Sequence, residues 1–433
     1  MTEFVLIAFA LIAGLLMTRL FKKAGLNFPD VTAFLITGLL IGPYGLGRLG
    51  IEGIGFTSMA EVARVDFISK AALGFIAFSI GNEFKLSHLQ GTGKQATIIG
   101  IAQAVVAMIV VDIVLLAVHF IAPDKLSIPA AITMGAIATA TAPAATLMVV
   151  KQYKAHGELT SLLLPIVALD DAVGLVTFAV SFGVAQAMVS STISIVAILV
   201  NPLIEIVASL LLGGLLGAIL TKIEELFFSN SNRLSMSIAF VLLTIALCTL
   251  EFEIGPVTLR FSSLLVCMML GTTLCNLCPR SGDIMKRTDM WTAPLNALFF
   301  IISGAELELN VFSDITVVII GILYIAARSA GKYFGARESS RFSGCNDNIV
   351  KYLGFTLLPQ AGVALGMCQQ AVTLGSYDGK LIKNIILFAV LIYELAGPSI
   401  THWALLNSGD IEKTPANKTS HERFNTPKDI KKS

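Results

Sequence analysis

The chain has 433 residues, 55% of them hydrophobic and only 14% charged, with a formal net charge of +1. At a mean hydropathy of +0.81 it has the composition of a polytopic membrane protein and not of a soluble domain. No basic patch interleaved with aromatic residues occurs, so nucleic acid is not an expected partner.

Hydropathy predicts about thirteen spans of roughly 20 residues each. They fall near 3–21, 31–47, 67–84, 95–121, 129–150, 159–185, 192–221, 235–250, 257–277, 291–309, 314–334, 350–374 and 381–406. The first apolar run has no basic segment before it and no small-residue cleavage site, so it reads as a span and not as a signal peptide. From about Leu406 the chain turns polar, and 408–433 reads as a disordered cytoplasmic tail with no soluble regulatory domain after it. Of six cysteines only Cys275 and Cys278 form a close pair. With no second such pair and no nearby His, they read as small apolar residues and not as a metal site.

Loop charge sets the orientation. With the N-terminus outside and the C-terminus inside, Lys22, Lys23, Lys85, Lys94, Lys151, Lys154, Lys222, Arg233, Arg280, Lys286, Arg287, Arg337, Arg341 and Lys351 fall on the inner side. That set is about twice as large as the outer one, as the positive-inside rule requires. The expected location is the plasma membrane.

A weak internal repeat runs through the spans. The third and tenth both end in Gly-x-Glu, at Gly81/Glu83 and Gly304/Glu306. The fifth and twelfth each carry a central proline, Pro143 and Pro359, the second beside Gln360. An offset of seven spans inverts the second copy. The expected division is a first repeat over 1–190, a linker helix over 191–230 and a second, inverted repeat over 231–407. Paired interrupted helices at matching positions point to a transporter site near the bilayer midplane. Proline removes a helix hydrogen bond, and that defect has to face protein or water. Spans five and twelve are therefore expected as crossed, broken helices inside the bundle, with Thr139, Thr141 and Thr146 supplying hydroxyls.

The strongest single signal is Asp170-Asp171 in LLLPIVALDDAVGLV. A charge at that depth costs at least a few kcal/mol, which marks a functional site. Neighbours on a helix point about 100° apart, so one aspartate is expected to face an ion and water, the other a cationic partner. The eleventh span offers Arg328 and, one turn on, Lys332. Arg328 is the expected charge-compensating partner; Lys332 is expected to snorkel toward the inner end. Asn82, Glu83 and Gln360 are candidates for the ion path. Asp112 is deep and unassigned, and Asn201-Pro202 with Glu205 reads as a kink and anchor. Glu306, Glu308 and Glu394 are expected to be solvated near span ends.

These residues carry a resemblance. FPDVTAFLITGLLIGPYGLG (28–47), ALGFIAFSIGNEFKL (72–86), ALDDAVGL (168–175), APLNALFFIISGAELEL (293–309) and ILFAVLIYELAGP (386–398) are similar to signatures of monovalent cation–proton antiporters of the second branch, the sodium–proton exchanger fold with paired aspartates. The resemblance covers nearly all of the chain. It implies an all-α membrane protein of about 13 helices in two inverted repeats, a homodimer, and no cofactor beyond the transported ions. Asp171 would bind cation and proton in turn, and Asp170 would pair with a basic residue on the third-last span. In relatives a Lys lies seven residues before a Gly-Ala pair; counting back from Gly335-Ala336 gives Arg328. Ala142, in TATAPAA, stands where a sister branch has an aspartate.

The expected function is exchange of Na⁺, and of Li⁺ in the same way, for protons by alternating access, with net current. Potassium–proton exchange and sodium-coupled symport of an organic anion are the rivals within transport. An aspartyl protease needs two aspartates converging from different helices to about 3 Å, which adjacent Asp170 and Asp171 cannot supply.

Overall fold

A backbone in lipid has to satisfy its own hydrogen bonds, so the long apolar runs become helices. The computed structural model describes residues 2–411 apart from 26–29, 52, 85–92, 143–145, 147–148, 151–152, 190–200, 251, 255–256, 260, 308–312 and 376. The helices are α1 (Thr2–Lys23), α2 (Asp30–Ile41), α3 (Met59–Arg64), α4 (Asp66–Glu83), α5 (Gly93–Ile121), α6 (Ile128–Ile137), α7 (Glu158–Val189) and α8 (Asn201–Glu224). They continue as α9 (Asn230–Leu247), α10 (Ser263–Leu277), α11 (Ser281–Ala305), α12 (Ile315–Phe342), α13 (Asp347–Thr356), α14 (Gly362–Ala371) and α15 (Asp378–Ser408). Among the described residues, seven helices are long and apolar enough to cross a bilayer unaided, and shorter apolar helices accompany them.

Two departures from the predicted spans have local causes. Residues 257–259 form not the start of a span but one strand of an antiparallel hairpin with Phe252–Ile254, and α10 begins only at Ser263, where Ser262 caps it. Helix α11 starts ten residues before the predicted 291, because its first turns are polar in sequence yet bury Ile284, Met285 and Thr288. The fifth and twelfth spans are both interrupted, as expected. Helix α6 stops at Ile137, and α13 stops at Thr356 with α14 resuming at Gly362.

Two glycine-lined crossings hold the scaffold. A Cβ on Gly38 of α2 would fall 1.9 Å from the carbonyl oxygen of Ile301, and one on Gly304 of α11 2.1 Å from that of Leu35. In the same way, a Cβ on Gly81 of α4 would fall 2.1 Å from the Met268 oxygen, and one on Gly271 of α10 2.1 Å from the Phe78 oxygen. Only hydrogen fits at these points, so the glycine-rich second span makes its close contact within the chain. A third close crossing joins α5 and α12, where Gly331 and Gly335 lie against Ala107 and Gln103. Helices α6 and α7 pack together, as do α14 and α15.

The chain past α15 belongs to the fold for three residues more than expected. Gly409 closes the helix in the left-handed region (φ 92°). Asp410 then turns back, and one of its carboxylate oxygens accepts from the Thr160 N–H and the Thr160 hydroxyl, both at 2.7 Å, at the start of α7. The rest of the predicted tail lies outside the described residues.

Candidate functional site

The site is built where the two interruptions cross. Between α6 and the next described helical residues the chain is unwound through Thr139–Ala142, and the other interruption runs through Leu358–Ala361. The two unwound segments are joined by a backbone hydrogen bond, the Ala142 N–H donating to the Pro359 carbonyl at 2.8 Å. Pro359 thus lies at a helix break as expected; Pro143 lies outside the described residues.

Both α6 and α13 end here, each leaving carbonyls without helical donors and a partial negative charge. Arg328 answers both ends. It is 0% exposed. Its Nε donates to the Ala138 carbonyl at 3.0 Å, Nη2 to Ala140 at 2.6 Å and Nη1 to Leu358 at 2.7 Å. The planar fork reaches three separate main-chain acceptors from three different nitrogens, a spread that the single nitrogen of an ammonium does not offer. Its guanidinium carbon lies 4.5 Å from the ring centre of Tyr393, a cation–π contact. Gln360 completes the seal, its Nε2 donating to the Ile137 carbonyl at 3.0 Å.

The expected Asp170–Arg328 pair is not formed. Asp170 pairs with Lys332, Nζ to Oδ2 at 2.5 Å, and both side chains are 0% exposed. The expectation that Lys332 snorkels is likewise overturned. Its ammonium also donates to the Thr139 carbonyl and, at 2.9 Å, to the Thr141 hydroxyl. Arg328 and Lys332 lie four residues apart on one face of α12, and the aspartate meets the second of them.

Two more donors hold Asp170. The Thr141 hydroxyl donates to Oδ2, and Gln103 Nε2 on α5 donates to Oδ1 at 2.6 Å. Gln103 was missed by sequence reasoning; a lone amide inside the apolar run GIAQAVVAM was the available signal. The Thr139 hydroxyl turns back to the Ala136 carbonyl (2.6 Å), so Thr139 serves the site through its main chain. Asp171 follows Asp170 in α7, about 100° round the helix; its side chain, like that of Glu83, lies outside the described residues. Asn82 is half-buried at the last turn of α4 and is not among the residues that hold Asp170.

Other acids are placed differently from expectation. Glu306 is not solvated but pairs with Lys383 of α15 at 3.0 Å and is 8% exposed. Glu394 sits in the middle of α15 at 1% exposure. Asp112 lies against Gly135 of α6, where a Cβ would fall 1.7 Å from its Oδ1. Glu308 lies outside the described residues. All six cysteines are free, and among the described residues no cluster of His, Cys, Asp and Glu could hold a resident metal.

Two helical turns beyond Asp171, α7 lines a cavity of about 360 Å³ through Phe178, together with Lys70, Gln186, Glu205, Gln369 and Thr373. It opens between α7 and α14 on one side and α4, α8, α9 and α10 on the other.

The comparisons with known proteins agree with this architecture. The family model described as "Sodium/hydrogen exchanger, transmembrane" matches residues 7–406. The fold is similar to the sodium proton antiporter MjNhaP1 of Methanocaldococcus jannaschii at pH 8, with a TM-score of 0.70 and 18% identity, over 92% of this chain and 97% of that one. An electron-microscopy structure of the same antiporter gives a TM-score of 0.66 at 18% identity, over 94% and 98%. Among curated proteins none matches the chain by sequence.

Proposed function

The chain belongs to the sodium/hydrogen exchanger family, so it is a multi-pass cation–proton antiporter, and we propose that it moves Na⁺, and Li⁺ alike, by alternating access with Asp171 as the carboxylate that cation and proton occupy in turn. The observation that carries this reading is the buried Asp170–Lys332 pair at the crossing of two broken helices. Asp170 is held by Lys332, Thr141 and Gln103. Those three donors engage both oxygens of Asp170, so we assign the exchange to its neighbour on α7. A hard monovalent cation takes oxygen ligands, and the unwound segments meet α7 at Asp170, the residue before Asp171.

The same geometry makes Arg328 a structural cation: it neutralises the ends of α6 and α13, so that they cross without uncompensated dipoles. The packing supports the two-repeat reading over 1–190 and 231–407. The crossing of α2 with α11 has its counterpart in that of α4 with α10, glycine for glycine. The pairing of α6 with α7 has its counterpart in that of α13 with α15, and α5 with α12 is its own counterpart. The cavity beside Phe178 lies between the two groups of helices that would move past one another.

We take the exchange to be electrogenic, the protein to be a homodimer of the plasma membrane, and the N-terminus to be outside. The test is relaxation of an imposed pH gradient in proteoliposomes on addition of Na⁺, Li⁺ or K⁺. Na⁺ and Li⁺ should collapse the gradient, and Asp171→Asn should abolish the response. Undiminished exchange by that variant would refute the site; a response to K⁺ alone would make the protein a potassium–proton antiporter.

A further inference from the structure

Glu394 is a buried acid that the site does not use. It lies at the middle of α15, 1% exposed, and neither carboxyl oxygen has a hydrogen-bond partner. Its main chain is just as unusual. Pro398 stands four residues on inside the helix and has no N–H to give, so the Glu394 carbonyl loses its helical donor. The donor comes instead from another helix: the Thr32 hydroxyl of α2 reaches that carbonyl at 3.1 Å. The Glu394 main chain therefore sits where α15 touches α2.

The charged groups on the elements packed against α15 do not answer the carboxyl. On α12, Arg328 is committed to three carbonyls and Lys332 to Asp170. On α2, Asp30 is exposed and pairs with Lys22 at 3.0 Å. On α7 the acids are Glu158, Asp170 and Asp171, and α6 and α14 carry no charged residue. On α13, Asp347 and Lys351 lie in the first turns, away from the end at Thr356 that reaches the crossing. On α15 itself Lys383 pairs with Glu306. An ionised carboxylate without donors does not persist in such surroundings, so the acid carries its proton here.

We propose that Glu394 is a second proton-binding site of the transport cycle, occupied while α15 rests on α2 and emptied to water when the two helices part. The inference rests on the electrogenic reading, because one proton at Asp171 gives neutral exchange with a monovalent cation. In this arrangement the Lys332 ammonium is bound at the site, to Thr139, Thr141 and Asp170, whereas the Glu394 carboxyl is held by no hydrogen bond. Glu394 contacts none of these. Its link to the site is indirect: the adjacent Tyr393 stacks on Arg328, and Gly397, one turn on, packs on the Pro359 ring. Closure of α15 on α2 is thereby tied to the crossing of the broken helices.

The experiment measures, in proteoliposomes under imposed voltage, the protons moved per cation by the parent, Glu394→Gln and Lys332→Gln. Glu394→Gln keeps the shape and removes the exchangeable proton, so the ratio should fall by about half and the voltage dependence should vanish. A Glu394→Gln protein with the parent's ratio and voltage dependence overturns the proposal, and loss of both in Lys332→Gln alone assigns the second proton to the lysine. A voltage-insensitive parent overturns the electrogenic reading together with this one, while Asp171→Asn tests the exchange site separately. Should Glu394→Gln not transport, infrared difference spectra of purified parent and variant decide. A neutral carboxylic-acid band at neutral pH that the variant lacks supports a bound proton. Identical spectra overturn it.

Discussion

Arg328 and Lys332 stand one turn apart on α12 and meet different partners: the first binds the carbonyls of two helix ends, the second the carboxylate of Asp170. The division follows from shape. A guanidinium fork spans three fixed acceptors, whereas an ammonium is a compact point charge. Replacing either residue should therefore be costly. Arg328→Lys leaves at least one buried carbonyl without a donor, at about 1–3 kcal/mol. Lys332→Met leaves Asp170 as an uncompensated buried charge, at about 3–5 kcal/mol. Thermal unfolding of the detergent-solubilised variants should rank Lys332→Met as the less stable. Equal stability would show that Asp170 is protonated and not paired.

The glycine crossings give a second expectation. Gly304→Ala and Gly81→Ala each place a methyl about 2.1 Å from a backbone carbonyl, where no rotamer relieves the clash. Overpacking of this kind costs about 1–3 kcal/mol even when side chains can yield, and here the backbone has to move. Both variants should lose folded yield, whereas Gly282→Ala, with open space around it, should not. Size-exclusion profiles of the three proteins check this.

Much of the site was legible because membrane chemistry makes it so. Paired acids and mid-span prolines are expensive in lipid, so Asp170-Asp171 and Pro359 announce themselves in an apolar sequence. The partner of Asp170 was not legible. Periodicity places Arg328 and Lys332 on one face, but which of them is level with Asp170 depends on how far α12 slides along α7, and a single sequence does not encode that. Gln103 is neutral and gave no charge signal. Glu306 reads as a solvated end charge until Lys383, 77 positions along the chain, is brought against it.

A third expectation concerns the junction after α15. Asp410 satisfies the Thr160 N–H of the first turn of α7, and Gly157 leaves room for it, since a Cβ there would fall 2.3 Å from Oδ1. Asp410→Ala removes a capping acceptor worth about 0.5–2 kcal/mol. Because α7 carries Asp170 and Asp171, the loss should appear as faster hydrogen exchange at the start of α7, with α1 unaffected. Uniform exchange across all helices would indicate a global effect instead.

The last expectation turns on the Thr32–Glu394 contact, which repairs the hydrogen bond that Pro398 removes. Thr32→Val keeps the volume and deletes the hydroxyl, leaving a buried carbonyl unpaired at a cost of about 1–3 kcal/mol. The repair has a backbone alternative. Pro398→Ala restores an N–H four residues after Glu394, so the double variant Thr32→Val/Pro398→Ala should recover most of the stability that Thr32→Val loses. Non-additivity of this sign in a double-mutant cycle of unfolding temperatures is the measurement. Strict additivity would mean that Thr32 stabilises α2 against α15 by packing alone, and that the proline's orphaned carbonyl finds its partner elsewhere.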